Sequence, residues 1–282
     1  MASVPGTCST KQLLKRWLTP PGLYPLLWRA LLARRHAPTR AERSELSRNA
    51  EFKDKHRGER CYVLGNGPSL NAIDLEKLRD QTTICMNNFG EHPILKTGWQ
   101  PTYFCVVDVR SRRSDADSQA KIEANLEGIS PQAIFYPIDF QPFLDRHNVF
   151  FLKMASLHIE LWPGAPPLDL TATIPGLHCS EHLAIVLALW MGFAEIILLG
   201  MDHDWLTYRS WNKHFYEYSG SEDDVDFGTI PYGTMIAATH TEWQTYKHFL
   251  RVAAVRQVSI VNASPGSYLD VFSPVDFASL QV

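Results

Sequence analysis

The stretch Cys61–Leu70, CYVLGNGPSL, decides the fold class. Its first half is a short, uninterrupted apolar run, which marks a strand buried on both faces. The run breaks at Gly65-Asn66-Gly67-Pro68-Ser69 and continues as a helical pattern. Glycines at such a turn let the backbone approach a ligand closely, and the free amides of a helix start favour an anion. Pro68 suits the first helical position, where its absent N–H is not missed. The spacing matches neither the dinucleotide GxGxxG nor the Walker GxxxxGK(S/T). The turn therefore reads as a nucleotide cradle made by Gly65, Asn66, Gly67 and Ser69, or else as a plain tight bend.

Outward from this turn, short apolar runs alternate with helical patterns. The expected strands are Cys61–Leu64, Thr82–Met86, Tyr103–Val107, Ala133–Tyr136, Val149–Leu152, Glu195–Leu199 and Val258–Val261, and the expected helices are Ser69–Arg79, Ser180–Met191 and Thr241–Arg256. In Ser180–Met191 the serine can cap the first turn, Glu181 suits its positive end, and LAIVLALWM is apolar nearly all round, as in a helix pressed against a sheet. The expected fold class is α/β, a Rossmann-like, open and mostly parallel sheet. Residues 204–235 (WLTYRSWNKHFYEYSGSEDD and its flanks) are aromatic, polar and irregular, and read as a lid.

Open α/β sheets bind ligands beyond the carboxyl ends of their strands. That rule singles out Asn87 and Asn88 after ICM, Asp108 after YFCVV and Asp202 after EIILLGM. Taken one at a time, each also fits an ordinary turn residue bonding its own backbone. Asp202-His203-Asp204 is a DxD, a spacing that can hold a divalent metal through Asp202 and Asp204, although two acids in three residues often occur by chance. His240, just before TEWQTYKHFLRVAAVRQ, is placed in a loop or helix start as a candidate base, against the ordinary reading of a structural histidine.

The 282 residues, 45% hydrophobic and 11% aromatic, suffice for one substantial core. Charge is unevenly spread, with 13 Lys/Arg against 5 Asp/Glu up to residue 60 and 14 against 25 after it. An acidic body argues against nucleic-acid binding, whereas a basic leader suits an anionic membrane surface. Cys8, Cys61, Cys85, Cys105 and Cys179 form no CxxC and read as buried thiols in a reducing compartment. Leu13–Arg35 is interrupted by basic residues and three prolines, which excludes a membrane span and fits a signal peptide poorly. Tyr24–Arg35 instead fits an amphipathic helix in a membrane interface, or one packed on protein. Residues 40–60, charged and poor in large apolar groups, read as a solvated helix or linker. The expected division is a leader and linker at 1–59 and a nucleotide-binding domain at 60–282, cytoplasmic and peripheral at the inner membrane face through residues 1–40.

GNGPSL at Gly65–Leu70, MNNF at Met86–Phe89, SEHLAIVLALWMGFAEIILLGMD at Ser180–Asp202, HTEWQTYKHFL from His240 and VSIVNASPGSYL from Val258 carry a resemblance over most of Arg60–Leu280. The chain resembles the bacterial sialyltransferases of glycosyltransferase family forty-two and the related hydroxymethylpterin-pyrophosphokinase-like family. The resemblance implies a variant GT-A fold and inverting sugar transfer from a CMP-linked donor, with no obligatory metal. It implies that Gly65, Asn66, Gly67, Ser69 and Asn87 hold the nucleotide, that Ser180 contacts the donor and that His240 is the general base. The lid tyrosines Tyr208, Tyr216 and Tyr218 are then the candidates to stabilise the departing phosphate. Two departures stand out: Asp108 where that family has an asparagine, and Leu177-His178-Cys179-Ser180 where it has an arginine. An aspartate beside a phosphate or sugar carboxylate repels it unless protonated or metal-bound.

The expected function is an inverting, sialyltransferase-like glycosyltransferase that takes a nucleotide-sugar, a CMP-linked acidic sugar, to a glycan or lipid-linked acceptor. Asp108 and Asp202 count among its donor-binding residues, and a homo-oligomer is left open. The alternatives are a metal-dependent, ATP-using pyrophosphokinase and a non-catalytic nucleotide-binding scaffold.

Overall fold

The structure is a computed structural model, and it describes residues 30–31, 34–107, 115–159, 168–208, 215 and 231–281. Nine strands form one sheet: β1 Arg60–Leu64, β2 Thr83–Met86, β3 Tyr103–Cys105, β4 Ala133–Pro137, β5 Val149–His158, β6 Thr173–Gly176, β7 Glu195–Leu199, β8 Ser259–Asn262 and β9 Ser273–Pro274. Their order across the sheet is 6-5-4-3-2-1-7-8-9, and every described pairing is parallel. All seven expected strands are present. The two unexpected ones lie at the edges: β6 is TIPG, with a proline and a glycine in four residues, and β9 is a two-residue bridge.

Side-chain alternation with period two builds a core on each face. Cys61 and Val63 of β1 join Ile84, Met86, Cys105 and Phe135 on one face, while Tyr62 and Leu64 join Cys85, Phe104, Ile134 and Tyr136 on the other. Burial on both faces explains why these strands are apolar without polar alternation.

The helices include α1 Arg40–Ser47, α2 Asp115–Leu126, α3 Ser180–Met191, α4 Trp205–Tyr208 and α5 Tyr232–Arg256. Three expectations about them are corrected. The helix expected at Ser69–Arg79 is two 3-10 turns, Pro68–Ala72 and Leu75–Leu78, separated where Ile73 is extended and Asp74 accepts the Glu76 amide to start a new turn. Ser180 does not cap α3: Cys179 holds the cap position, and the Ser180 side chain is used elsewhere. The helix expected from Thr241 begins at Tyr232, behind Pro231, which puts His240 in its interior. The stretch read as a solvated helix or linker also packs on the body. Thr39 and Glu42 close a capping box on α1, Leu46, Asn49 and Phe52 are buried, and the Asn49 amide donates to the carbonyls of Phe151 and Leu170.

α3 lies on β1, β2 and β3 beneath α5, so every residue except Glu181 is buried. That includes His182, which is fully buried against Tyr246 and Phe249 of α5, with neither ring nitrogen hydrogen-bonded to any described residue. Burial, reinforced by the neighbouring His178, His203 and His158, holds its pKa well below the ordinary value of 6.5. Burial likewise lowers His203 to about 3. The unfolded chain takes up these protons once the pH falls below about 6.5, and the folded chain does not. Stability is therefore complete above that pH and declines below it, by at most about 1.4 kcal/mol per pH unit for each group. Thermal melts should show Tm falling from pH 7 to pH 5, and His182→Leu should raise Tm more at pH 5 than at pH 8.

Candidate active site

The chain moves outward from β1 to β6, returns through α3 to β7 on the other flank of β1, and moves outward again to β9. The carboxyl ends of β1 and β7 are therefore the topological switch point, where loops part to opposite faces and leave a crevice. The glycine turn follows β1 and Gly200–Asp204 follows β7. The two loops touch through backbone: a Cβ on Gly65 would lie 2.5 Å from the Gly200 carbonyl oxygen. The Gly65 amide donates to Leu199 and the Gly67 amide to Gly200.

Asp202 sits directly over the turn. Its carboxylate accepts the Ser69 amide at 2.9 Å and the Ser69 hydroxyl, and a Cβ on Gly67 would lie 2.5 Å from its carboxyl carbon. An intramolecular carboxylate thus takes the Ser69 amide of the 3-10 turn, which the sequence assigns to a ligand anion. Asn66 is buried, donates through Nδ2 to the Met86 carbonyl at 3.3 Å, and leaves a buried Oδ1 with no hydrogen-bond partner among the described residues. The amide of Phe215, from the expected lid, donates to the Asn66 carbonyl at 3.0 Å, and its ring packs on Phe89 and His92.

Asn87 and Ser180 meet at the ends of β2 and β3. The Ser180 hydroxyl donates to Asn87 Oδ1 at 2.6 Å and accepts the Val107 amide at 2.9 Å. Asn87 adopts φ +49°, a left-handed backbone that few side chains tolerate and that asparagine tolerates best. Gly65, Asn66, Gly67, Ser69, Asn87, Ser180 and Asp202 thus stand together along the carboxyl edges of β1, β2 and β7 and beside the end of β3.

His240 is exposed, with Gln244 Nε2 3.4 Å from its Nε2. Its height follows from two contacts: Tyr246 meets His182, and the Arg256 guanidinium reaches the Leu189 carbonyl, so α3 and α5 run side by side in one direction. At 1.5 Å per residue, His240 lies about 6 Å, roughly one turn, beyond the level of Ser180. At 100° per residue it points about 120° away from the Tyr246 seam. His240 therefore stands above the carboxyl edge on the outer flank of α5. Asp108, Tyr216 and Tyr218 fall outside the described residues, as does most of the leader; Tyr208 is in α4, but its side chain is not among those described.

The sequence reading missed the contacts of His203, Glu242, Trp243 and Tyr246. The available signal was the spacing of Glu242, Tyr246, Phe249 and Ala253, which a helix lines up on one face. Among the described residues no three His, Cys, Asp or Glu side chains converge as a metal-ligand set, and no helix is long and apolar enough to cross a membrane.

No protein-family model matches the chain, and no curated protein does so. Solved structures do. The sialyltransferase CstII from Campylobacter jejuni, in complex with the substrate analogue cytidine-5'-monophosphate, is 12% identical, with 78% of this chain and 85% of that one covered and a TM-score of 0.45. The sialyltransferase CST-II in complex with a trisaccharide acceptor and CMP is also 12% identical, with coverage of 77% and 86% and a TM-score of 0.43. Likenesses of this size leave the fold to stand on the strand order described above.

Asp202→Ala should expose what the turn owes to its carboxylate. Loss of the Ser69 amide and hydroxyl bonds should cost about 1 to 3 kcal/mol, read as a lower urea midpoint at unchanged m.

Proposed function

We propose that the chain is an inverting glycosyltransferase that uses a nucleotide-sugar, with a CMP-linked acidic sugar as donor and a glycan or lipid-linked glycan as acceptor. The observation that carries the proposal is the convergence of Asn66, Asn87 and Ser180 around the β1–β7 switch point, with Asn66 Oδ1 buried there and unpartnered among the described residues. The motifs GNGPSL, MNNF and HTEWQTYKHFL support the same reading through the family resemblance. Residues 1–40 are proposed to hold the chain to an anionic membrane surface at the cytoplasmic face.

On this reading the donor lies across the carboxyl edge. Asn66 and the glycine turn meet the nucleoside. The Asn87 and Ser180 side chains lie farther from the Asp202 charge and meet the phosphate. An acidic carboxylate repels a phosphate, so the turn already closed by Asp202 suits the uncharged part of the donor. His240, above the edge, takes the proton of the acceptor hydroxyl as its oxygen bonds to the anomeric carbon. The bond from that carbon to the phosphate oxygen breaks in the same displacement, and the nucleotide leaves with the electron pair. Hydrogen-bond donors at the phosphate, the Asn87 side-chain amide oriented by Ser180 and the lid tyrosine Tyr208 among them, offset its developing charge.

A thermal-shift panel of CMP, CDP, UDP, GDP and ATP, each with and without magnesium, tests the donor class. Stabilisation by CMP without metal is expected, and stabilisation by ATP only with magnesium would overturn the reading in favour of the pyrophosphokinase. His240→Ala should keep the CMP shift and lose turnover by about 100-fold or more. Full activity in that variant would remove His240 from the mechanism.

A further inference from the structure

His203 is buried, yet its backbone is left-handed at φ +51°, a conformation that strains most side chains. This turn of the chain sends consecutive side chains to opposite walls of the site. Asp202, before the turn, grips Ser69 of the glycine turn, and its carbonyl accepts the Tyr268 amide at 2.8 Å. The His203 ring enters the flank of α5. Its Nε2 lies 3.0 Å from the Tyr246 hydroxyl, and its ring centroid is 4.5 Å from that of Trp205, 5.5 Å from Trp243 and 5.2 Å from Tyr246. Nδ1 faces the Glu242 carboxylate at 4.0 Å. Two residues on, the Trp205 indole donates to the Thr239 hydroxyl at 3.0 Å. Thr239, Glu242, Trp243 and Tyr246 bracket His240 along α5, and all four contact His203 or Trp205.

We propose that His203 is a positioning residue that locks the upper half of α5, and with it His240, at a fixed distance from the glycine turn. It rests on the transferase reading for its catalytic consequence and on geometry alone for the mechanical one. Because the ring is enclosed and carries no net charge, the lock works by shape and by one hydrogen bond to Tyr246. A displacement of about 1 Å between base and donor suffices to slow such a reaction a hundredfold.

Hydrogen exchange on the full-length chain tests the mechanical claim without reference to any reaction. His203→Asn keeps a residue suited to the left-handed backbone and removes the ring, while Tyr246→Phe removes only the hydroxyl. In both variants amides of residues 232–245 should exchange faster, by about tenfold or more in His203→Asn, with residues 246–256 and β7 unchanged. Unchanged exchange at 232–245 overturns the proposal, as does a uniform rise across the sheet, which would mark general destabilisation. The catalytic claim expects His203→Asn to keep the CMP thermal shift and the donor KM while kcat falls by about a hundredfold. Wild-type kcat in a variant whose 232–245 segment exchanges faster overturns the positioning role. If exchange changes as expected and the wild type neither binds CMP nor transfers sugar, the transferase reading fails and the mechanical lock stands.

Discussion

The structure depends on the approach of two backbones at the carboxyl ends of β1 and β7. Gly65 and Gly200 come so close that neither can carry a side chain, and the contact seals the crevice between the loops at its base. Over that seal, Asp202 binds Ser69 and fixes the direction in which the chain leaves β1. Three neighbours above the sheet connect to this junction: Asn66 beside Met86, the Phe215 amide on Asn66, and α5 through the residues after Asp202.

The junction also sets the electrostatics of the site. A free backbone amide at such a turn attracts phosphate, but here the Ser69 amide is taken by a side chain of the protein itself. Neutral hydrogen-bonding groups, Asn66, Asn87 and Ser180, make up much of the remaining edge. On the proposed reading, a donor with a single phosphate suits this edge better than one whose diphosphate would crowd the Asp202 carboxylate.

Much of the sheet was legible because a strand buried on both faces has nowhere to put a polar residue. Cys61–Leu64 and residues 196–199 show this plainly. β6 and β9 lie at the edges, where TIPG and Ser-Pro need little burial or ladder bonding, and so they carry no comparable pattern. Helix limits were less legible for a related reason. Tyr232–Thr241 is mostly exposed and lacks a strong apolar stripe, yet it is helical, with the Trp205 indole and the Leu206 carbonyl meeting it from α4. The strand-end residues Asn87 and Asp202 were found by their position in the fold. That Asp202 binds Ser69, and that Ser180 bridges Val107 and Asn87, depends on pairings across 133, 73 and 93 residues that no local pattern encodes.

The strand order imposes a timetable on synthesis. β1 through β6 can pair as they leave the ribosome, but the other edge of β1 finds its partner only when β7 arrives, and Arg60 and Glu195 are 135 residues apart. Until then the nascent chain carries a bare, apolar strand edge in its middle, the kind of surface that recruits other unpaired strands. The switch-point crevice therefore exists only once β7 and the loop after it have been made, and chaperones that shield strand edges would find their substrate in this protein before that crevice has formed.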